Sequence, residues 1–497
     1  MVGVGGRSKG CRTCRRRRVK CDEEKPLCHR CQKGGFECEG YVEFAQFIDE
    51  TSRLRKRAAR RLALPSSCSD SSETGLEAPG PNINFLLSVN PPWSENDIVI
   101  TYLFNRVFNW NDDPASPHET PAWTSILLRQ DNETELSTAS VRALAMVYFA
   151  KVNKQHQVMR KGVSFYAHAL RTLQTKLHCQ DQAMGDDVLV AIICLAIYEL
   201  ITLTHPRAWL SHYQGLARLM LLRGPYRHQS GITFAIMPTL RSCIAIGYII
   251  ERKRCFLEDP AWKTIPWAER GLGSKTPTDL LQDIMCDIPG ILQDQSEAVL
   301  WHPDDPRKEE FTSVFIPRVL STLEVLYSWR WNWESQFPNS TFITTPIEYI
   351  SSGPISLPPS PFKSVIWFQD PHRAVELTVY NAILLILIRA LQIAGADLDS
   401  VHLEGLSGPL LPMQGDRNDI AIEICRMVDY HLHCLRSTGA FMLLFPLNVA
   451  YLHLDQKSTE ARCWLERVIA DLADSHGFEV GRSENMLRKP TDVRGGI

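Results

Sequence analysis

Residues 11–38 read CRTCRRRRVKCDEEKPLCHRCQKGGFEC, and the cysteine gaps in this stretch decide what the first domain is. The spacing is C-x2-C-x6-C-x6-C-x2-C-x6-C, through Cys11, Cys14, Cys21, Cys28, Cys31 and Cys38. One C-x2-C-x6-C unit is copied seventeen residues later. A C-x2-C turn lets two thiolates grip one ion, and structural zinc takes four ligands in a tetrahedron. Two zinc ions need eight ligand positions, which six thiolates supply when two of them bridge. Repeat symmetry makes the bridges the first cysteine of each half, Cys11 and Cys28. A head of about forty residues buries too little apolar surface to fold alone. Zinc supplies on the order of 10–16 kcal/mol per structural site at neutral pH, so metal would create this fold. Pro26 suits the turn that brings the second half back onto the first.

The competing readings are weaker. Six of the fifteen cysteines lie in this stretch and nine are scattered singly, as buried core thiols are. The N-terminus MVGVGGRSKG lacks the apolar core of a secretory signal, so a reducing nucleus or cytosol is expected and a disulfide staple is not. The apolar runs near Val188–Leu203 and Ala382–Leu391 are short and broken by Glu199 and Arg389, which suits buried helices better than membrane spans. A single zinc using His29 would strand at least two thiols. PLCHRC shares the P-C-x-x-C element of zinc deaminases, but no H-x-E precedes it.

Charge is divided along the chain. Residues 1–64 carry 17 Lys+Arg against 8 Asp+Glu, a net of +9; the other residues carry 37 against 48, a net of −11. A basic head on an acidic body points to a polyanion partner for the head alone. Arg15–Arg18 follow the second cysteine, where the gap to Cys21 allows about one and a half helical turns projecting them in nearly every direction. Arginine's planar fork can grip a phosphate, or the O6/N7 edge of guanine, with two hydrogen bonds. Val19 is expected to pack inward. The second half offers only Gln32 and Lys33 before Gly34-Gly35, so it reads as a phosphate prop.

These residues closely resemble the fungal zinc binuclear cluster, the DNA-binding head of a large family of fungal transcription factors. The resemblance covers residues 10–41, and every cysteine gap fits. It implies two zinc ions bridged by Cys11 and Cys28, with Cys14 and Cys21 completing one site and Cys31 and Cys38 the other. It also implies two short helices, the first entering the major groove of double-stranded DNA at a CGG-like half-site in a promoter. Position by position, Arg17 and Arg18 fall on the base-reading sites, with Arg18 the stronger, and Arg15 and Lys20 on phosphate-facing ones. Arg16 is left unassigned.

Beyond the head, residues 42–92 read as a basic segment and flexible linker: RLRKRAARR carries charge from Arg53 to Arg61, and 65–82 are rich in Ser, Gly and Pro. The basic run suits nuclear entry, an added phosphate contact or a solvated helix face. Residues 93–497 read as one large all-α domain. A helix start is expected at Ser94. Pro206 to Gly224-Pro225 bounds a helix, Asp370-Pro371 opens another, and similar runs cover roughly 135–178, 186–204, 232–257, 276–294, 309–333, 416–437 and 458–475. Residues 345–362 form a Pro-rich loop.

WLSHYQGLARLMLLRGPYRHQ, with Trp209, His212, Gly215 and Arg223-Gly224-Pro225, and later FLEDPAWKTIPW (256–267), resembles the fungal-specific transcription factor domain, loosely over 93–480. That resemblance implies a regulatory all-α domain acting through co-regulators, the transcription machinery or small ligands. No catalytic constellation appears, so an enzyme is not expected. His431 and Cys434 of HLHC, and His205 and His212, read as core residues, and YSWRWNW (327–333) as packing rather than a ligand pocket. The expectation is a nuclear, zinc-dependent transcription regulator of RNA polymerase II genes with no membrane partner. A zinc-stabilised nucleic-acid or chromatin scaffold without sequence specificity is the alternative. No zipper follows the cluster, so a homodimer and a single half-site are both compatible with the sequence.

Overall fold

Two helices of the second unit are apolar around their whole circumference, and the fold is arranged to bury them. In this computed structural model the described residues are 11–24, 27–38, 95–108, 135–205, 207–302, 304–346, 359–396, 417–455 and 457–482. They fall into two compact units, one within Met1–Leu87 and one within Ser88–Ile497. Ser94, Pro26, Pro206 and the linker with its basic run lie outside the described residues.

The first unit holds two five-residue helices, α1 (Arg12–Arg16) and α2 (His29–Lys33). In the second unit, α3 (Glu95–Leu103) continues into a π-helical turn, Phe104–Phe108. There follow α4 (Glu135–Asn153), α5 (His156–Leu177), α6 (Gln180–Ala183), α7 (Asp186–Thr202) and α8 (Ala208–Arg223). Next come α9 (Gly231–Ala235), α10 (Met237–Glu251), α11 (Pro260–Thr264), α12 (Pro277–Met285), α13 (Ile288–Val299) and α14 (Arg307–Gln336). After a two-stranded antiparallel ribbon, β1 (Thr341–Thr344) against β2 (Val365–Phe368), come α15 (Pro371–Ile393), α16 (Arg417–Arg426), α17 (Val428–Cys434), α18 (Arg436–His453) and α19 (Thr459–His476).

Every residue of α7 from Val188 to Ile201 is buried, with α4 and α8 packed on it. Every residue of α15 from Tyr380 to Ile388 is buried, among α14, α16 and α18. Among the described residues, α15 is the one helix long and apolar enough to cross a membrane, yet 83% of its most apolar window is buried inside the fold. Asp370 caps it by accepting from the His372 N–H at 2.8 Å, and Arg389 is its exposed interruption.

The structure divides several of the expected helical runs. Residues 135–178 are two helices, broken where Lys154 takes a φ of 54°. The runs 232–257 and 276–294 each split in two, and 416–437 is three helices with a third that continues to His453. Both pieces of each pair face the same core, so the apolar period runs on across a one- or two-residue break and conceals it. The ribbon is an addition to the all-helical reading: Thr341–Phe368 and Thr344–Val365 set its register, closing the Pro-rich connection whose residues 347–358 are outside the described ones.

Each central helix carries one buried acid. Glu199 on α7 accepts from the Tyr166 hydroxyl at 2.5 Å and from the backbone N–H (3.1 Å) and hydroxyl (2.7 Å) of Thr204. Glu376 on α15 accepts from the Thr278 hydroxyl at 2.7 Å and the Trp333 indole N–H at 2.8 Å, and pairs with Arg373 at 2.6 Å. Burial raises the Glu376 carboxyl above its usual range even so. A buried carboxylate is tolerated only when its lone pairs are met, so each acid fixes the position of its partners. Removing Glu376 would leave the buried Trp333 N–H unmatched and Arg373 facing Asp370 at 3.9 Å. Glu376→Ala should therefore cost about 3–5 kcal/mol of unfolding free energy, and Glu376→Gln less, in urea titrations followed by tryptophan fluorescence. All twelve tryptophans lie at or beyond Trp93, so that signal reports the body alone.

Three fully buried histidines give the body an acid limit. Burial pushes His228, His431 and His476 down to about 4, with the charges of Arg223 on His228 and of Arg106 on His476 adding to it. Their unfolded value is near 6.5, so between those limits the unfolded chain binds more protons than the folded one. Stability is whole above about pH 6.5 and falls as pH drops toward about 4, by roughly 1.4 kcal/mol per pH unit for each histidine. Urea midpoints measured from pH 7 to pH 4.5 should fall through this window.

Candidate metal centre and nucleic-acid interface

The interior of the first unit is made of sulfur. Cys11, Cys14, Cys28 and Cys31 are completely buried, and the groups packed on them are Val19, Cys21 and Cys38. Cys11 and Cys28 each open a helix, and each thiol accepts the backbone N–H three residues on, Cys14 and Cys31, at 3.3 Å. The sequence repeat is thus a structural repeat.

Both helices also end alike. The Val19 N–H reaches back to the Cys14 carbonyl at 3.1 Å, and the Phe36 N–H to that of Cys31 at 2.9 Å. The residue before each, Arg18 and Gly35, is left-handed, with φ of 57° and 66°. These are Schellman ends, in which glycine is the usual left-handed residue. The second half obeys that preference and the first places an arginine there. This corrects the expectation of a helix carrying all four arginines. Helix α1 stops at Arg16, because the turn that returns the chain toward Cys21 begins at once, and Arg17 and Arg18 sit in that turn.

The sulfurs form two groups of four, Cys11–Cys14–Cys21–Cys28 and Cys11–Cys28–Cys31–Cys38, in each of which all Sγ atoms lie within 4.8 Å of one another. Cys11 and Cys28 belong to both. Sulfur separations inside the groups are 3.6 Å for Cys11–Cys28, 3.8 Å for Cys11–Cys31 and 3.7 Å for Cys14–Cys28. A zinc–sulfur bond of about 2.3 Å sets tetrahedral sulfurs about 3.8 Å apart, so the donor set fits zinc. Burial above all pushes Cys11, Cys14 and Cys31 up to about 12. A divalent cation among the sulfurs reverses that preference, since a coordinating thiol loses its proton outright. The six clustered cysteines are able to bind two zinc ions.

Contacts apart from sulfur also join the halves. The Thr13 hydroxyl, in a buried residue of α1, donates to the Glu37 carbonyl at 2.9 Å. One turn later on the same face, the Arg17 guanidinium lies over the Phe36 ring, 3.4 Å from its centroid. Asp22, between the halves, accepts from the Arg30 N–H at 2.7 Å. Partial desolvation works against it, but that bond and those from Glu24 and His29 hold its carboxyl below the usual range. Arg16, Arg17, Arg18 and Lys20 are exposed, while the Arg15 side chain lies outside the described residues. Phe36, Thr13 and Asp22 carry no sequence signal beyond their place between cysteines.

In the body, residues that stood out in the sequence prove structural. Arg223 closes α8 by donating to Asp186 at 2.6 Å and to the Met184 carbonyl, and Gly224 follows with a φ of 72°. His212 Nε2 is 3.2 Å from the Tyr166 hydroxyl, and burial lowers its imidazole. Trp209 packs edge-on against Tyr213. His431 is buried against Met427 and Thr378 as expected, whereas Cys434 and His205, read as core residues, are both exposed. In YSWRWNW, Trp329 stacks on Tyr380 and Trp333 bonds Glu376, which makes the cluster packing. The missed residues are Tyr166 and Glu199, whose partners are 33 positions apart and leave no local pattern.

Residues 9–46 match the fungal Zn(2)-Cys(6) binuclear cluster domain, and residues 115–248 the fungal specific transcription factor domain. The second match stops well short of the 93–480 suggested by sequence resemblance and leaves out 256–267. Among curated proteins, the uncharacterized protein AN5342 of Emericella nidulans is 33% identical over 29% of this chain and 30% of its own length. The transcriptional regulatory protein moc3 of Schizosaccharomyces pombe is 46% identical over 13% of this chain and 14% of its own. The aspercryptin biosynthesis cluster-specific transcription regulator atnN of Emericella nidulans is 67% identical over 8% and 7%. The chain spans less than a third of the length of these relatives. No solved structure matches it significantly. A six-thiol cluster built as two sulfur tetrads thus coincides with the match to the fungal zinc binuclear cluster domain, and part of the helical body with the match to the fungal specific transcription factor domain.

Proposed function

We propose that this chain is a nuclear, sequence-specific DNA-binding regulator of RNA polymerase II genes. Its head, residues 10–41, holds two zinc ions on Cys11, Cys14, Cys21, Cys28, Cys31 and Cys38, with Cys11 and Cys28 bridging. It reads a CGG-type half-site in the major groove: Arg17 and Arg18 face bases, and Arg15 and Lys20 face phosphates. Residues 42–92 link it to the body, residues 93–497, which receives co-regulators or the transcription machinery.

The observation that carries this reading is the contrast between Arg18 and Gly35. The two halves share one turn, and where the second half uses the favoured glycine, the first holds a charged side chain at a φ of 57°. A non-glycine residue in that region costs of order 1 kcal/mol or more, and such outliers gather where a side chain has work to do. Arg18 is exposed on a basic stretch anchored by buried sulfurs, as a base-reading arginine must be. Selection from random duplexes tests the function: a CGG-containing consensus supports it, any repeat of that triplet would report a dimer, and no consensus would favour a non-specific scaffold.

Metal content tests the ligand set. The chain should bind two zinc ions, and Cys28→Ser, which removes a thiol from both tetrads, should lose both in elemental analysis. Cys38→Ser touches one tetrad and should retain more metal than Cys28→Ser. For Arg18, glycine separates backbone from side chain. Arg18→Gly should leave the head as stable or stabilise it by up to about 1 kcal/mol. The same substitution should lower discrimination for the selected site by about 1–3 kcal/mol. Titrations against selected and scrambled duplexes measure this, and equal losses on both would make Arg18 a phosphate contact.

A further inference from the structure

We infer that Phe36, an uncharged residue of the second half, is a positioning residue for sequence discrimination by Arg17 of the first half; this rests on the proposed DNA-reading function. The Arg17 guanidinium lies over the Phe36 ring at 3.4 Å from its centroid. Stacking occupies the face of a guanidinium and leaves its edge N–H groups available, and those are what grip the O6/N7 edge of guanine. A flexible arginine must otherwise be ordered at the moment of binding, so a platform that holds it beforehand sharpens discrimination.

The surroundings are built for this platform. Phe36 is 45% exposed, so the ring is not there to fill a core. Its backbone is fixed by the N–H bond to Cys31, and the next residue, Glu37, is held to α1 by Thr13. Gly34 leaves the ring its place, since a Cβ there would come within 2.9 Å of Phe36 Cδ2. Thr13 and Arg17 lie one helical turn apart, and the Arg17 N–H bonds the Thr13 carbonyl at 3.0 Å. One face of the first half therefore meets residues 36–37 of the second, and the weak reader becomes the support of the strong one.

A double-mutant cycle on the full-length zinc-loaded chain tests this. The readout is the ratio of affinities for the wild-type-selected duplex and a scrambled one, with two zinc ions verified in every variant. Phe36→Leu keeps bulk and removes the aromatic face, and should lower the ratio about tenfold while leaving scrambled-duplex affinity unchanged. Phe36→Trp should restore it. In an Arg17→Ala background, Phe36→Leu should change the ratio no further. Additive losses in the cycle, or equal losses on both duplexes, would overturn the inference while leaving the proposed function intact. A wild-type chain that selects no duplex would overturn both.

Discussion

The head depends on sulfur crowding. Four fully buried cysteines, with sulfur separations of 3.6–3.8 Å, form the centre of a unit in which Val19 is the one aliphatic side chain packed on them among the described residues. Thiols so placed resist ionisation because burial disfavours their charged form, whereas a divalent cation held by four sulfurs makes the ionised form the stable one. Two tetrads that share Cys11 and Cys28 turn two binding events into one folded object. The short helices, the Thr13–Glu37 bond and the exposed arginines all take their positions from that centre.

Symmetry and its violation divide the labour. Each half begins with a cysteine thiol capping its own helix and ends in the same left-handed turn. Against that common frame, the differences stand out: Arg18 where Gly35 stands, and Arg17 resting on Phe36 rather than on its own half. A repeat fixes geometry cheaply, and substitutions that break it mark where chemistry has been added.

The body solves a different problem. Helices α7 and α15 are apolar on all sides and must be surrounded, yet each carries one acid in its buried length. Glu199 and Glu376 hold partners from other helices, Tyr166 in one case and Thr278 and Trp333 in the other. Apolar burial drives the packing, and these acids fix which residues face one another.

Sequence alone determined the cysteine repeat, the basic run beside it and the helical texture of the body, because each is a local pattern written in spacing. It placed the Asp370 cap and left α15 as a core helix, since a cap and an interrupting Arg389 are also local. It overran the breaks at Lys154, between α12 and α13 and within 416–453, because apolar periodicity continues when two helices share a core. It also drew α1 two residues too long, since nothing between Cys14 and Cys21 announces a left-handed arginine. What only the tertiary structure decided is which distant residues meet: Arg17 on Phe36, Thr13 on Glu37, Tyr166 on Glu199. Those pairings are set by the approach of two separately formed pieces of chain, and no spacing in the sequence records it.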